Sequence, residues 1–138
     1  MLRRIAMAAL VASALLIGLS PQSQSQEKSS GVMLTADELK KLFEPYLLIT
    51  GRDVYLGVWF ANLFARGGIL YDMWTGDTVN DGSDKGTWRL DGDKVCGIPH
   101  SNVREHCKHW YRLADGSYEA RNVPGEQLES TFRIVNKP

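Results

Sequence analysis

An excess of either charge is missing from this 138-residue chain, in which 16 Lys and Arg stand against 16 Asp and Glu. Without a basic field to hold phosphates, nucleic acid is not an expected partner. Cysteine is scarce: Cys96 and Cys107 are the only two, and the first 95 residues hold none. That excludes a lipid-modified cysteine near the N-terminus, a Cys-x-x-Cys redox pair and a Cys-x-x-Cys-His haem attachment site. The chain has no Gly-x-Ser-x-Gly, no His-Glu-x-x-His and no phosphate-cradling glycine loop, so no nucleophile–base or zinc-hydrolase motif is on offer. The length is too short for a (β/α)₈ barrel or a two-domain dehydrogenase. It suits one domain preceded by a targeting segment.

Such a segment is visible. Arg3 and Arg4 precede Ile5 to Leu19, 15 residues without a charge, and Pro21 opens a Gln/Ser-rich stretch. This is the order of a signal peptide, and the run is shorter than the roughly 20 residues of a spanning helix. No Ala-x-Ala lies in the cleavage region, but Ser23 and Ser25 are small enough to take its place, so cleavage is expected after about residue 25. An uncleaved anchor is the alternative, and it would be the only membrane contact. Residues 1–25 therefore read as signal peptide, 26–33 as a disordered polar lead and 34–138 as a single β-rich domain. The expected location is the periplasm or the exterior of a bacterium. Losing Arg3 and Arg4 leaves 14 positive and 16 negative charges, a net of −2.

Leu34-Thr35-Ala36-Asp37-Glu38-Leu39 carries a capping box, with Thr35 and Glu38 three residues apart and acids at the positive end of the helix dipole. Leu39, Leu42, Phe43 and Tyr46 form one apolar stripe, and Pro45 stops the helix at about Glu44. From Gly51 onward the period becomes two. Alternating runs cover 54–60, 69–74, 86–91, 94–98, 106–113, 117–122 and 130–135, with Asp-Gly turns at 81–82, 91–92 and 115–116 and Pro-Gly at 124–125. The fold expected is mainly β (α+β by count): an N-terminal helix docked on an antiparallel meander that closes into a small barrel or sandwich.

Cys96 and Cys107, the sole pair in an exported chain, are expected to form a disulfide at the base of a loop. Free thiols serving a metal are the alternative. His100, His106 and His109 lie close by, but His106 and His109 are three apart and on a strand point to opposite faces, so no metal and no cofactor is expected. The stretch 77–84 resembles a calcium loop in composition only, with Val79 where an oxygen ligand belongs, and reads as a solvated turn. Asp53, Asp72, Glu105 and Glu119 are carboxylates that strand parity alone does not pair. Aromatics are plentiful. Trp88, Trp110 and Phe132 are expected in the core with Leu39 and Phe43, the two Trp packing against the disulfide; Trp59, Trp74 and Tyr71 are the candidate ligand contacts.

Gly86-Thr87-Trp88 followed by Gly92-Asp93-Lys94-Val95-Cys96, a second cysteine at 107, Asp115-Gly116-Ser117-Tyr118 and the closing 131–136 stretch together resemble a family of short exported proteobacterial proteins carried as a domain of unknown function. The resemblance covers roughly residues 34–138. It implies an exported, disulfide-stapled domain and no particular activity.

The functional expectation is a non-catalytic exported binding module for a small apolar or aromatic ligand, an envelope component or a protein partner. Two alternatives stand beside it: an envelope hydrolase using paired carboxylates, and a metal or haem carrier using His100, His106 and His109.

Overall fold

The computed structural model describes residues 28–76, 79–99 and 104–135. The signal segment, the start of the polar lead and His100 lie outside that set. The described elements are β1 (Val32–Met33), α1 (Ala36–Phe43), β2 (Leu47–Asp53), β3 (Trp59–Ala65), β4 (Ile69–Thr75), β5 (Gly82–Asp91), β6 (Lys94–Ile98), β7 (His106–Arg112), β8 (Tyr118–Val123) and β9 (Leu128–Ile134). From β2 to β9 each strand pairs antiparallel with the next, and β9 returns to pair with β2. The result is a closed eight-stranded up-and-down barrel, with β1 added against β7. Closure removes the free edges that an open sheet of this length would expose. The mainly-β expectation holds, and of barrel and sandwich the chain forms the barrel.

The helix closes one end. Thr35 Oγ1 accepts the Glu38 amide (3.3 Å) while Glu38 Oε2 accepts the Thr35 amide (2.9 Å), so both halves of the capping box form. Glu38 also reaches Arg112 on β7, and these bonds hold its carboxyl below the usual range, the Thr35 amide first. Leu39 and Phe43 are buried on the inward face. Phe43 stacks within 4.7 Å of Trp88, 5.1 Å of Phe64 and 5.3 Å of Trp110, ring centre to ring centre, and Trp110 passes the contact on to Phe132 at 4.6 Å. This aromatic plug fills the closed end. Trp88 also donates its indole N–H to the Ala65 carbonyl (2.9 Å).

Four departures from the sequence reading are local. The alternating run at 54–60 is not one strand. Asp53 Oδ1 accepts the amides of Tyr55 and Leu56 (both 2.8 Å) and Gly57 takes φ +66°, which turns the chain between β2 and β3. β5 starts at Gly82, so the acidic stretch runs into a strand rather than ending as a solvated turn. Val32–Met33, placed in the disordered lead, pairs with Arg112 and Tyr111 as β1. Tyr46, assigned to the helix stripe, lies beyond the helix end and is exposed.

Candidate functional site

Parity within the barrel decides which side chains meet. On β3, β4 and β5 the even-numbered residues face inward: Phe60, Asn62 and Phe64, then Leu70, Asp72 and Trp74, then Asp84 and Trp88. On β6 the odd residues Val95 and Gly97 do so, and on β7 His106, Lys108 and Trp110. They enclose a cavity of about 830 Å³. An eight-stranded barrel is just wide enough for its own side chains or for one small ligand. Here side chains fill the helix end and leave the rest open.

The cavity has three levels. Its floor is apolar, made by Phe64, Trp110 and Phe132 of the plug together with Leu70 and Val95. Halfway up is a polar belt. Asn62, Asp72 and Asp84 are register partners on three neighbouring strands. The Asn62 amide nitrogen donates to Asp72 Oδ1 (2.5 Å). Lys108 on β7 forms an ion pair with Glu129, and both are largely shielded from solvent. Burial pushes the Asp72 carboxyl up to about 6; Lys108 pulls against that shift and the Asp84 charge adds to it. The third level is the mouth, lined by Tyr55, Leu56, Val58, Trp74, Val79 and Pro99. Trp74 lies flat on the wall: its indole N–H donates to the Asn80 carbonyl (3.1 Å), and a Cβ on Gly82 would stand 2.4 Å from its ring.

The candidate ligand contacts therefore separate. Trp74 lines the cavity mouth. Trp59 and Tyr71 do not: odd parity puts them on the outer wall, 58% and 40% exposed, with Arg52 over the Trp59 ring and Lys85 over the Tyr71 ring. The core set of Leu39, Phe43, Trp88, Trp110 and Phe132 meets in one cluster.

Cys96 and Cys107 are bonded and sit opposite each other on β6 and β7. Their parity is that of the outer wall, beside Arg89, whose guanidinium holds Glu105 through two bonds (2.8 and 2.9 Å). Trp88 and Trp110 thus pack on the opposite face from the disulfide, not against it. Although Glu105 lies beside both sulfurs, the bridge leaves no thiolate there for a metal. His106 faces the cavity mouth and His109 the outer wall, where His109 Nδ1 meets Glu126 (2.5 Å) and Glu126 accepts the Tyr111 hydroxyl (2.8 Å). Burial, then that bond, pushes Tyr111 up to about 12. This outer cluster clamps the β8–β9 turn to β7.

A second concavity of about 960 Å³, lined by Lys40, Phe43, Pro45, Arg66, Trp88 and Leu90, is an open groove beside the helix end. It encloses nothing. The sequence reading missed Asn62, Asp84, Lys108 and Glu129. Alternation along β4 and β5 could have paired Asp72 with Asp84, had β5 been started at Gly82.

No family model, curated protein or solved structure matches this chain.

Proposed function

We propose that this protein is an exported carrier that holds one small, largely apolar molecule inside its barrel. The observation that supports this reading is the lumen cavity of about 830 Å³, stoppered at one end by Phe43 and its aromatic partners and open at the other. Side chains could have filled that space; in β6 a glycine, Gly97, faces it instead. An enclosed apolar cavity with a few convergent polar groups is the usual form of a small-molecule site. The bonded cysteines are compatible with the oxidising compartment that export would provide. The signal segment of residues 1–25 would supply the export.

A second reading draws on the neighbouring Asp72 and Asp84. Two carboxylates, one of them with its pKa raised to about 6, are the apparatus of an acid–base hydrolase. The carrier reading is preferred because apolar side chains line the cavity on both sides of the pair, Tyr55, Leu56 and Trp74 on one and Phe64, Leu70 and Val95 on the other.

The test is a titration with N-phenyl-1-naphthylamine, a neutral apolar dye that fluoresces when it leaves water. Wild type should bind it saturably with a stoichiometry of about one, as a single enclosed site requires. Gly97→Leu should abolish binding without lowering Tm. A Cβ at Gly97 meets nothing closer than 3.7 Å, and the longer side chain then fills the lumen. Equal binding by both proteins would remove the lumen as the site.

A further inference from the structure

We propose that the outer wall formed by β2, β3, β4 and the first half of β5 docks on an anionic phospholipid bilayer. Trp59, Tyr71 and Met73 would enter the headgroup region, with Arg52 and Lys85 against lipid phosphates. This goes beyond the carrier reading and does not rest on it.

Charge is sorted across this part of the barrel. The acids of these strands, Asp53, Asp72 and Asp84, all have inward parity. The outward positions of β2, β3, β4 and the first half of β5 carry no acid. Arg52 on β2 and Lys85 on β5 do stand outward, and neither is ion-paired with an acid among the described residues. Each lies over a ring instead, Arg52 at 5.9 Å from the centre of Trp59 and Lys85 at 5.7 Å from that of Tyr71. The chain past residue 25 is net negative, with 14 positive and 16 negative charges, so a wall bearing cations alone reflects segregation rather than excess.

Between the cations the wall is apolar. Trp59, Tyr71 and Met73 are exposed, and the half-buried Ala61 and Leu63, register partners of Met73 and Tyr71, join them into one patch. At the mouth end the patch meets the β2–β3 turn, where Val54 and Leu56 are exposed as well. The acid of that turn, Asp53, accepts the Tyr55 and Leu56 amides, and Asp81 at the other edge accepts the Thr75 hydroxyl (2.6 Å). A contiguous exposed apolar patch on a monomer marks an interaction surface.

Charge and shape select the occupant. Cations flanking an apolar face with no acid on it are complementary to an anionic surface. A protein partner is held mainly by side chains seated in pockets. The outside of a barrel is convex, and neither concavity described above is lined by Arg52, Trp59, Tyr71, Met73 or Lys85. Trp and Tyr favour the level of lipid headgroups, where a ring and a neighbouring cation are both satisfied. The signal segment would then not be the chain's only contact with a membrane.

Vesicle flotation tests this, using the processed chain so that residues 1–25 cannot supply the contact. Wild type should float with vesicles of equal parts phosphatidylglycerol and phosphatidylcholine and stay behind with phosphatidylcholine alone. NaCl at about 0.5 M should release most of it, because salt screens exposed charges. Arg52→Gln with Lys85→Gln should weaken partitioning at least about tenfold, at about fivefold per basic side chain. Trp59→Gln with Met73→Gln should weaken it by about tenfold through lost apolar burial. Lys40→Gln with Lys41→Gln, the same change of charge on the helix, should stay within about twofold of wild type, the helix lying off the docking wall. All these side chains are exposed, so thermal melts and dye binding should match wild type in every variant.

Wild type that stays off the anionic vesicles would overturn the lipid assignment and leave the wall to an acidic protein; the carrier reading would still rest on dye binding alone. Equal loss in the Lys40 and Lys41 variant, or no loss in either wall variant, would put the contact on another face and overturn the proposal. Binding to phosphatidylcholine as tight as to the mixed vesicles would overturn the part given to Arg52 and Lys85.

Discussion

Asp72 and Asp84 face each other across β4 and β5 on the inner wall of the barrel, at the same depth as the Lys108–Glu129 pair. The raised carboxyl makes this a stability statement with a sign. A carboxyl whose folded value, about 6, lies above its ordinary 3.8 takes up protons on folding, so its ionisation opposes folding at higher pH. The penalty is absent below about pH 3.8 and complete above about pH 6. Asp72→Asn should therefore stabilise the protein at pH 7.5, by about 1 kcal/mol once solvent screening of this half-buried group is allowed for, and do nothing near pH 3.5. Urea melts at the two pH values check it. A destabilised variant at pH 7.5 would show that the carboxylate is better satisfied than this account holds.

The plug gives a larger effect. Phe43 touches three aromatic rings from three strands. Phe43→Ala should cost about 3–5 kcal/mol, the range for truncating a buried aromatic. The outward-facing Lys40→Ala should cost under about 0.5 kcal/mol. Thermal or denaturant melts measure both, and near-wild-type stability of Phe43→Ala would mean that the helix does not hold the closed end.

The disulfide pins the loop between β6 and β7 from the outer wall. Cys96→Ala should cost about 2–5 kcal/mol, as for other small disulfide-bonded domains. Ligand affinity under native conditions should stay within about twofold, since the bridge and the lumen lie on opposite faces of the strands. Mass spectrometry after alkylation without reductant should find no labelled thiol in wild type.

Position on the wall should separate the tryptophans. Trp59→Ala should leave both stability and dye binding near wild type, because its ring stands outside. Trp74→Ala should keep stability within about 1 kcal/mol and weaken binding, as loss of mouth area implies. Gly82→Ala should act like Trp74→Ala, since the added carbon would collide with the indole. Wild-type binding by both Trp74→Ala and Gly82→Ala would remove the mouth from the site.

Much of the barrel was legible in the chain, and the reasons are local. The capping box at Thr35 and Glu38, the Asp-Gly signals at 91–92 and 115–116 and the alternation through β4, β7 and β9 are short-range signals that tertiary packing did not overrule. The β2–β3 corner was not legible. Its hydrophobics Val54, Tyr55, Leu56 and Val58 alternate like a strand, while the bonds that bend the chain come from one carboxylate, Asp53, whose role no periodicity reveals. That error carries into the site. With strand and turn misplaced, Trp59 could not be put on the outer wall, nor could Asn62, Asp72 and Asp84 be put on one rung. Inward and outward differ by a single residue of register.

The most direct test follows the four indole N–H resonances of ¹⁵N-labelled protein as N-phenyl-1-naphthylamine is added, each assigned by its Trp→Phe variant. The lumen account predicts a large, saturable shift for Trp74 at the mouth, a small one for Trp110 at the floor and none for Trp59 on the outer wall. A Trp59 shift with Trp74 unmoved would place the ligand outside the barrel and contradict the account.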